Sequence, residues 1–460
     1  MTDTAERSLE LTGIVLRPGE PGFAEEIAGF NLSTTHTPEL VVAATDPADV
    51  AAAVRWAAAH DRPVAVQATG HGANVAVDGG VLISTRRMRS VTVDPVARTA
   101  TVGAGATWRD VLTAAAPHGL AGLNGSASSV GVVGYTTGGG LPVLGRPFGY
   151  ASDHVRSFEV VTADGRPRHV DAGTEPDLFW ALRGGKANAA VVTSMTFGLV
   201  PVARIFGGSV FYPGAAAPEL LPAYADWVAG LPEATSTALQ LLRLPPFPDI
   251  PEPLRGQFVV QLCVAHTGDA AEGAALLAPM RAAARPVVDT VAELPYLEVD
   301  RVYQDPDHPV PAREGCVLLR ELSAGAIDAV LDLAGPATDS PLLMLALRHL
   351  GGALARPPAV PDAVCMRDAG FLAQTVGVLA GPHAADVPAA TAAAQEALAP
   401  FATGCTTVNL HGTPGDDADR ARAWTPEVYE RLRRVKQRYD PAGRLRAGHT
   451  VPLPEAALPD

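Results

Sequence analysis

The sequence predicts an α+β protein with two domains of unequal character, and three observations lead there. At 460 residues the chain is too long for one ordinary hydrophobic core. Short strands and helices alternate through the first two hundred residues. From about Phe206 the texture changes, and prolines cluster at "LRLPPFPDIPEP" and "QDPDHPVP" between strand-like and helix-like runs.

Taken in order, "ELVVAAT" is an apolar strand, and Asp46-Pro47 then supplies an N-cap and a proline at the first helical position. Val50, Val54, Ala57 and Ala58 fall on one helical face before "RPVAVQA" returns as a strand. "SVTV" and "RTATVG" flank Asp94-Pro95-Val96-Ala97 and read as a hairpin. Thr107 caps a short helix, "WRDVLTAAAPHG", that Gly119 closes. "SFEVVTADGRPRHV" gives a second hairpin around Ala163-Asp164-Gly165. In the second unit "GQFVVQLCVAHTG" reads as a strand. The alanine-rich "AAEGAALLAPMRAAA" and "ADVPAATAAAQEALAP" read as helices, alanine being the best helix former. "DADRARAWTPEVYERLRRVKQRYDPAGRLRAG" predicts one charged amphipathic helix that stops at Asp440-Pro441.

Composition narrows the function classes. Hydrophobic residues make up 47% and charged residues 18%, which marks a folded protein rather than a disordered one. A net charge of -14 argues against DNA or RNA as a partner. Cys263, Cys316, Cys365 and Cys405 are scattered without a C-x-x-C pair, so no zinc ribbon is expected and buried thiols are more natural than a disulfide framework. No metal site is expected. "MTDTAERSLELTG" lacks the basic start and apolar core of a signal peptide, and no apolar run is long enough to span a bilayer. The expectation is a cytoplasmic protein with no membrane partner.

Three stretches carry the chemistry. In "AVQATGHGANVAVDGG", Ala65 to Gly80, His71 stands between two glycines, and alone it reads equally as an exposed loop histidine or as a ligand. "GSASSVGVVGYTTGGGLPVLGRPFG", Gly125 to Gly149, lets backbone N–H groups approach a ligand closely. It is neither a Walker A loop nor a good dinucleotide fingerprint, so structural and cofactor loops remain open. "PDLFWALRGGKANAAVVTSMTFGLVP", Pro176 to Pro201, reads alone as an ordinary helix-to-strand connection.

In order and spacing the three stretches together resemble the FAD-binding half of the vanillyl-alcohol-oxidase (PCMH-type FAD-binding) superfamily, and more narrowly the berberine-bridge-enzyme-like FAD-linked oxidases. The family's R-x-G-G-H loop is matched by Gln67-Ala68-Thr69-Gly70-His71. Its V-G-V-x-G-x-x-x-G-G-G segment is matched by Val130-Gly131-Val132-Val133-Gly134 through Gly138-Gly139-Gly140, and its L-F-W-A-L-R-G-G segment by Leu178 through Ser194. "RLRRVKQRYDPAGRLRAGHTV" is similar to the family's closing segment, while the middle is matched only by "ALRHLGGALARPP" and "RDAGF".

The resemblance implies a PCMH-type FAD-binding domain of two α/β subdomains, plus an α+β substrate domain whose antiparallel sheet is covered by helices. The implied divisions are 1–205 for the FAD domain, 206–414 for the substrate domain and 415–460 for a return to the first. It implies FAD joined by a single linkage from His71 to the 8α-methyl of the ring, with a non-covalent contact as the alternative. Gln67, Ala68, Thr69, Gly70, Gly72, Ala73, Ser126, Val130, Gly131, Gly134, Tyr135, Gly138, Gly139, Gly140, Asp153, Val192 and His449 are the other implied cofactor contacts.

The departures matter as much. Many relatives attach the ring a second time through a cysteine where this chain has Ala127, and the usual loop arginine is Gln67. Lys186, Ala187, Ala189 and Ala190 stand where the family shows G-G-x-F-G; Lys186 reads as a flavin or phosphate contact or as a solvated loop lysine. The family's tyrosine segment before the last helix is replaced around Trp424-Thr425, so the proton acceptor is open. His411, Tyr303 and Glu427 are the catalytic candidates, with Arg348, His349 and Arg367 on the substrate side and His308 also in reach. "TTVNLHG" takes the place of a family strand lining the flavin, with His411 pointing at the substrate or into the core.

The function implied is an FAD-dependent oxidase that moves a hydride from a C–H carbon, of alcohol type, to flavin N5. Molecular oxygen is the final acceptor and becomes H2O2. A largely apolar middle domain suggests a bulky, partly hydrophobic small-molecule substrate of secondary metabolism, such as an antibiotic-type intermediate or its sugar. The alternatives are a flavin-containing redox-neutral cyclase or isomerase, and a binding protein that has lost catalysis. The sequence leaves the oligomeric state open.

Overall fold

The computed structural model describes residues 11–186, 188–446 and 448–454. Three sheets organise them. The first has the order β1-β2-β4-β3, from β1 (Ile14–Leu16), β2 (Leu40–Ala43), β3 (Val64–Gln67) and β4 (Val81–Ser84). β2, β4 and β3 run parallel, with β1 antiparallel on the edge. Leu40, Val42 and Val64 pack on the helix Pro47–Ala59, while Val41, Ala65 and Leu82 are buried on the other face. Strands covered on both faces need apolar residues at every position, which is why "ELVVAAT" does not alternate. Asp46 caps the helix through the N–H groups of Ala48 and Asp49, as its Asp-Pro sequence predicts.

The second sheet is antiparallel, in the order β5-β6-β9-β7-β8, from β5 (Val91–Asp94), β6 (Thr99–Gly103), β7 (Val155–Thr162), β8 (Pro167–Asp171) and β9 (Ala190–Gly198). Both predicted hairpins are present. Thr107 and Asp110 form a reciprocal capping box that starts the helix Trp108–Ala115, and Gly119 follows at φ +66°. That helix buries Trp108, Val111 and Leu112 against Val102 and Phe197. Truncating Trp108 to alanine is expected to cost about 3–5 kcal/mol.

The third sheet is wholly antiparallel. Its order is β13-β10-β12-β11-β16-β17-β15, with β14 also on β10. The strands are β10 (Arg204–Pro213), β11 (Thr235–Arg243), β12 (Phe258–His266), β13 (Val288–Asp289), β14 (Ala292–Pro295), β15 (Ala312–Leu319), β16 (Met344–His349) and β17 (Phe371–Val378). Strand alternation gives it two unlike faces. Leu239, Leu241, Val260, Leu262, Leu345 and Leu347 face helices Ala217–Ala229, Ala270–Ala283 and Ala324–Ala334. The opposite face carries Gln240, Gln261, Gln374, Arg348 and Glu314, in registers that align Gln261, Gln240, Ala346, Gln374 and Cys316 across the sheet. Ala238, Cys263 and Ala265 on that side join the core of the second sheet.

Two local expectations are corrected. The C-terminal amphipathic run is two helices, Asp417–Ala421 and Pro426–Tyr439, because Thr425 caps the second and Pro426 takes its first position, where a missing N–H costs nothing. "TTVNLHG" forms a turn rather than a strand: Leu410 N–H donates to Thr407 O, and the Asn409 amide donates to Tyr135 O. The chain's last segment returns to the first sheet. Val64 bridges Leu445, and buried Lys436 donates to Asn188 O, Leu445 O and Asp440. Cys263 and Cys316 are buried, Cys365 and Cys405 are half-buried, and all four are free thiols. Among the described residues no helix is long and apolar enough to cross a membrane.

Candidate active site

The loop after β3 is shaped by its glycines. Gly70 has φ +71°, and a Cβ there would lie 2.5 Å from Gly29 Cα, so no other residue fits. A side chain at Gly72 would instead meet nothing within 4 Å. His71 Nδ1 lies 2.9 Å from Thr69 Oγ1 and Nε2 lies 3.2 Å from Ser129 Oγ, while Phe30 stacks on the ring. Burial pushes the imidazole pKa down to about 4, so its nitrogens are neutral at pH 7. Ala68 O accepts from Arg86 Nε, and Ala73 N–H turns back to Gly70 O. Gln67 does not face the loop's open side: its amide is taken up by His36 at 2.8 Å and Ile27 O at 3.2 Å.

The second glycine stretch meets the first. Gly131 precedes the helix Val132–Thr137 and faces Ala68 and Thr69, so the two loops lie side by side there. Val130 O accepts from Trp108 N–H, which anchors the loop to the helix start, and Ser126 is half-buried. Gly134 borders open space, and Tyr135 sets its ring edge-on to Trp108. Gly138 fits under Asn409 Oδ1, and Gly139 and Gly140 take φ +98° and +71° beside Val364 and the Tyr135 ring. A groove of about 560 Å³ lies alongside, walled by Val64, Ala65, Val77, Gly448 and Thr450; His71 is not in its wall.

Several buried polar atoms in this region have no partner. They are the Tyr135 hydroxyl, Asn409 Oδ1, both ring nitrogens of His449, Arg348 Nε and Gln374 Oε1. Such groups are costly unless a polar ligand satisfies them. With the glycine cradle and the neutral His71, they fit a flavin and a polar substrate. Arg348 lies over the Tyr303 ring at 4.9 Å, and the Tyr303 phenol is pushed up by burial. Glu314 is half-buried on the polar face of the third sheet. Burial pushes its pKa up to about 7, with Arg348 partly opposing. Its carboxylate makes no hydrogen bond or ion pair among the described residues.

Other sequence candidates fall elsewhere. Glu427 is exposed in the first turn of the last helix, and His308 is exposed beside Asp307. Arg367 is engaged by Asp153 and Asp362 at 2.7 Å each, and Asp153 also accepts from Tyr150 N–H, so both are structural clasps rather than free ligands. Val192 packs its side chain in the core. His411 is buried with Nδ1 2.6 Å from Thr406 Oγ1 and Nε2 3.3 Å from Asp419, and its ring meets His449 edge to face. His349 stacks on Phe371 and receives Arg146 Nη1 at 3.0 Å. Glu314, Gln374 and Gln240 were not singled out in the sequence. Alternation places them on one face, but only the fold shows that these strands share it.

Residues 38–171 match the family model described as an FAD binding domain. An FAD-linked oxidoreductase of Bacillus subtilis (strain 168), YvdP, is 30% identical over 317 residues, 66% of this chain and 67% of its own. The (R)-6-hydroxynicotine oxidase of Paenarthrobacter nicotinovorans is 27% identical over 481 residues, 98% of this chain and 99% of its own. The solved structure of 6-hydroxy-D-nicotine oxidase from Arthrobacter nicotinovorans matches with a TM-score of 0.85 at 24% identity, covering 97% of this chain and 99% of that one. The protein described here is thus an oxidoreductase with FAD as cofactor, and the chain belongs to the FAD-linked oxidoreductases.

Proposed function

We propose that the protein is an oxidase carrying FAD on a single covalent bond from His71, which oxidises a small polar substrate at a carbon bearing O–H or N–H. The observation that carries this reading is the neutral, loop-held His71 between Phe30 and the Gly131 segment. When bound, FAD accepts a hydride from that carbon and passes the electrons to oxygen, giving H2O2. The second tether is absent because Ala127 offers no thiol.

The chain's own residues orient the substrate and take its proton. Arg348 and Gln374 from the third sheet and the Tyr135 hydroxyl from the second glycine stretch offer the wall's unpartnered polar atoms. A wall so polar favours a substrate rich in hydrogen-bonding groups over the largely hydrophobic one that composition suggests. Glu314 is the proton acceptor: it is free of protein partners and tuned close to neutrality. Tyr303 stays protonated and His411 is committed to Thr406 and Asp419, so neither competes. Burial of the wall excludes water from the reacting carbon.

The test is an absorption spectrum of the purified protein, then acid precipitation and intact mass. Yellow colour in the pellet with one FAD of added mass supports the reading, and His71→Ala should move the colour to the supernatant. Colour that washes out of the wild type removes the covalent bond; no flavin at all overturns the reading.

A further inference from the structure

Both flanks of His71 are fastened by one segment, residues 296–312, which runs from the end of β14 into the start of β15. On the first flank, residues 30–32 lie between that segment and the histidine loop. Phe30 N–H donates to Thr69 O at 3.0 Å and Asn31 N–H donates to Gly70 O at 3.3 Å. On the other edge, Val310 N–H donates to Phe30 O and Leu32 N–H to Val310 O, both at 3.0 Å. The Asn31 side chain, in a residue only 5% exposed, closes the arrangement. It exchanges two 3.1 Å hydrogen bonds with the Ala312 backbone and donates to Asn74 Oδ1 at 3.3 Å. The backbone that carries the Phe30 ring against His71 is thereby bonded along both edges.

On the second flank the same segment grips the glycine stretch. Asp300, in the turn Tyr296–Val302, accepts from Ser128 N–H at 3.0 Å and from Ser128 Oγ at 2.6 Å. Arg109 pairs with the same carboxylate from the surface. Ser128 is 2% exposed, and the next residue, Ser129, sets its Oγ 3.2 Å from His71 Nε2. Tyr296 donates its hydroxyl to Asn124 Oδ1 at 2.9 Å from the same turn. A carboxylate that takes both donors of one residue holds its backbone and side chain together, so the loop swings only by breaking both bonds.

We propose that Asp300 and Asn31 are positioning residues for flavin attachment, through which segment 296–312 aligns His71 for the bond; this rests on the covalent reading above. In that step a His71 nitrogen bonds to the 8α carbon. The nitrogen and the carbon each give up one hydrogen, and oxygen takes the two electrons and two protons as H2O2. Asp300 and Asn31 hold the imidazole's surroundings and transfer no proton. Alignment of a nucleophile acts on the rate of bond formation rather than on cofactor affinity, so the two are measured apart.

The test uses the full chain prepared poor in flavin and then given saturating FAD in air. Acid-stable flavin is followed over time by gel fluorescence and intact mass, and reversible binding by absorbance. Asp300→Ala should still bind FAD and melt within a few degrees of the wild type, while attachment slows by about tenfold to a hundredfold. Asp300→Asn keeps an oxygen for Ser128 N–H and should recover most of the rate. Asn31→Leu breaks the other flank and should slow attachment by a similar factor. Asn74→Ala removes only the loop end of that clasp and should slow it less, which keeps this flank testable if Asn31→Leu does not fold. An unchanged attachment rate in Asp300→Ala overturns the proposal. So does loss of FAD binding from that variant, which assigns the segment to the cofactor rather than to His71. A wild type that binds FAD and never attaches it overturns the covalent reading, and the proposal falls with it.

Discussion

Phe30 stacks on His71 with ring centroids 3.8 Å apart and planes 11° apart, which fixes the imidazole before any bond to flavin forms. Thr69 and Ser129 flank its two nitrogens. Removing the stack should leave the fold intact and misalign the nucleophile. Phe30→Ala is expected to lower the covalently attached fraction of flavin several-fold, while His71→Ala abolishes attachment. Flavin fluorescence on a denaturing gel reads both. Full attachment in Phe30→Ala would show that the loop glycines suffice.

Local chemistry made much of the fold legible. Asp46-Pro47, the Thr107 capping box and the turn at Ala163-Asp164-Gly165 each carry their structure within a few residues. The histidine loop alone read either way, and only its order and spacing with the two later stretches singled it out. What the sequence hid depends on residues far apart in the chain. Glu314 becomes a candidate only because β15 pairs with β17 and β17 with β16, which sets it on the same polar face as Gln374 and Arg348. Arg367 looked like a free cation, and only the approach of Asp153 from 214 positions away shows that it is spoken for. The break at Thr425-Pro426 was readable from proline chemistry and was overridden by the amphipathic pattern around it.

Glu314 sets an expected pH profile. A carboxyl with its pKa pushed up to about 7 is protonated below that pH and cannot accept a proton there. The rate of flavin reduction by substrate should rise about tenfold per pH unit up to roughly pH 7 and then level. Glu314→Gln should remove that rising limb and slow reduction by about 10²–10⁴-fold. Anaerobic stopped-flow bleaching with any substrate found in an alcohol and amine panel measures it. A limb that survives in Glu314→Gln would assign the proton to another group.

Arg367 clasps two carboxylates, Asp153 from the segment after the glycine stretch and Asp362 from the segment between β16 and β17. Asp362 is only 3% exposed, and burial raises its pKa while Arg367 opposes that rise. Arg367→Met leaves both acids without their cation and should cost about 3 kcal/mol, since breaking a buried pair is far more damaging than replacing it whole. Urea unfolding checks the figure. A loss under 1 kcal/mol would mean that Asp362 takes up a proton and Asp153 finds water.

Acid should weaken the protein through histidines buried in the neutral form. Burial lowers His349 and His449 to about 3, with Arg146 adding to the effect at His349. In the unfolded chain each returns to about 6.5. Between those values the unfolded state binds more protons than the folded one, so stability rises with pH across the window. The contribution is therefore complete above pH 6.5 and is lost as pH falls toward 3. Carboxylates such as Asp49 and Asp110, whose pKa values are lowered by hydrogen bonds, lose their share only below about 4. A melting temperature that already declines between pH 6.5 and 5 thus points to the histidines. His349→Gln keeps a polar side chain at the Arg146 contact and removes one titrating group, so it should flatten that decline. A decline of equal slope in the variant would place the acid sensitivity elsewhere.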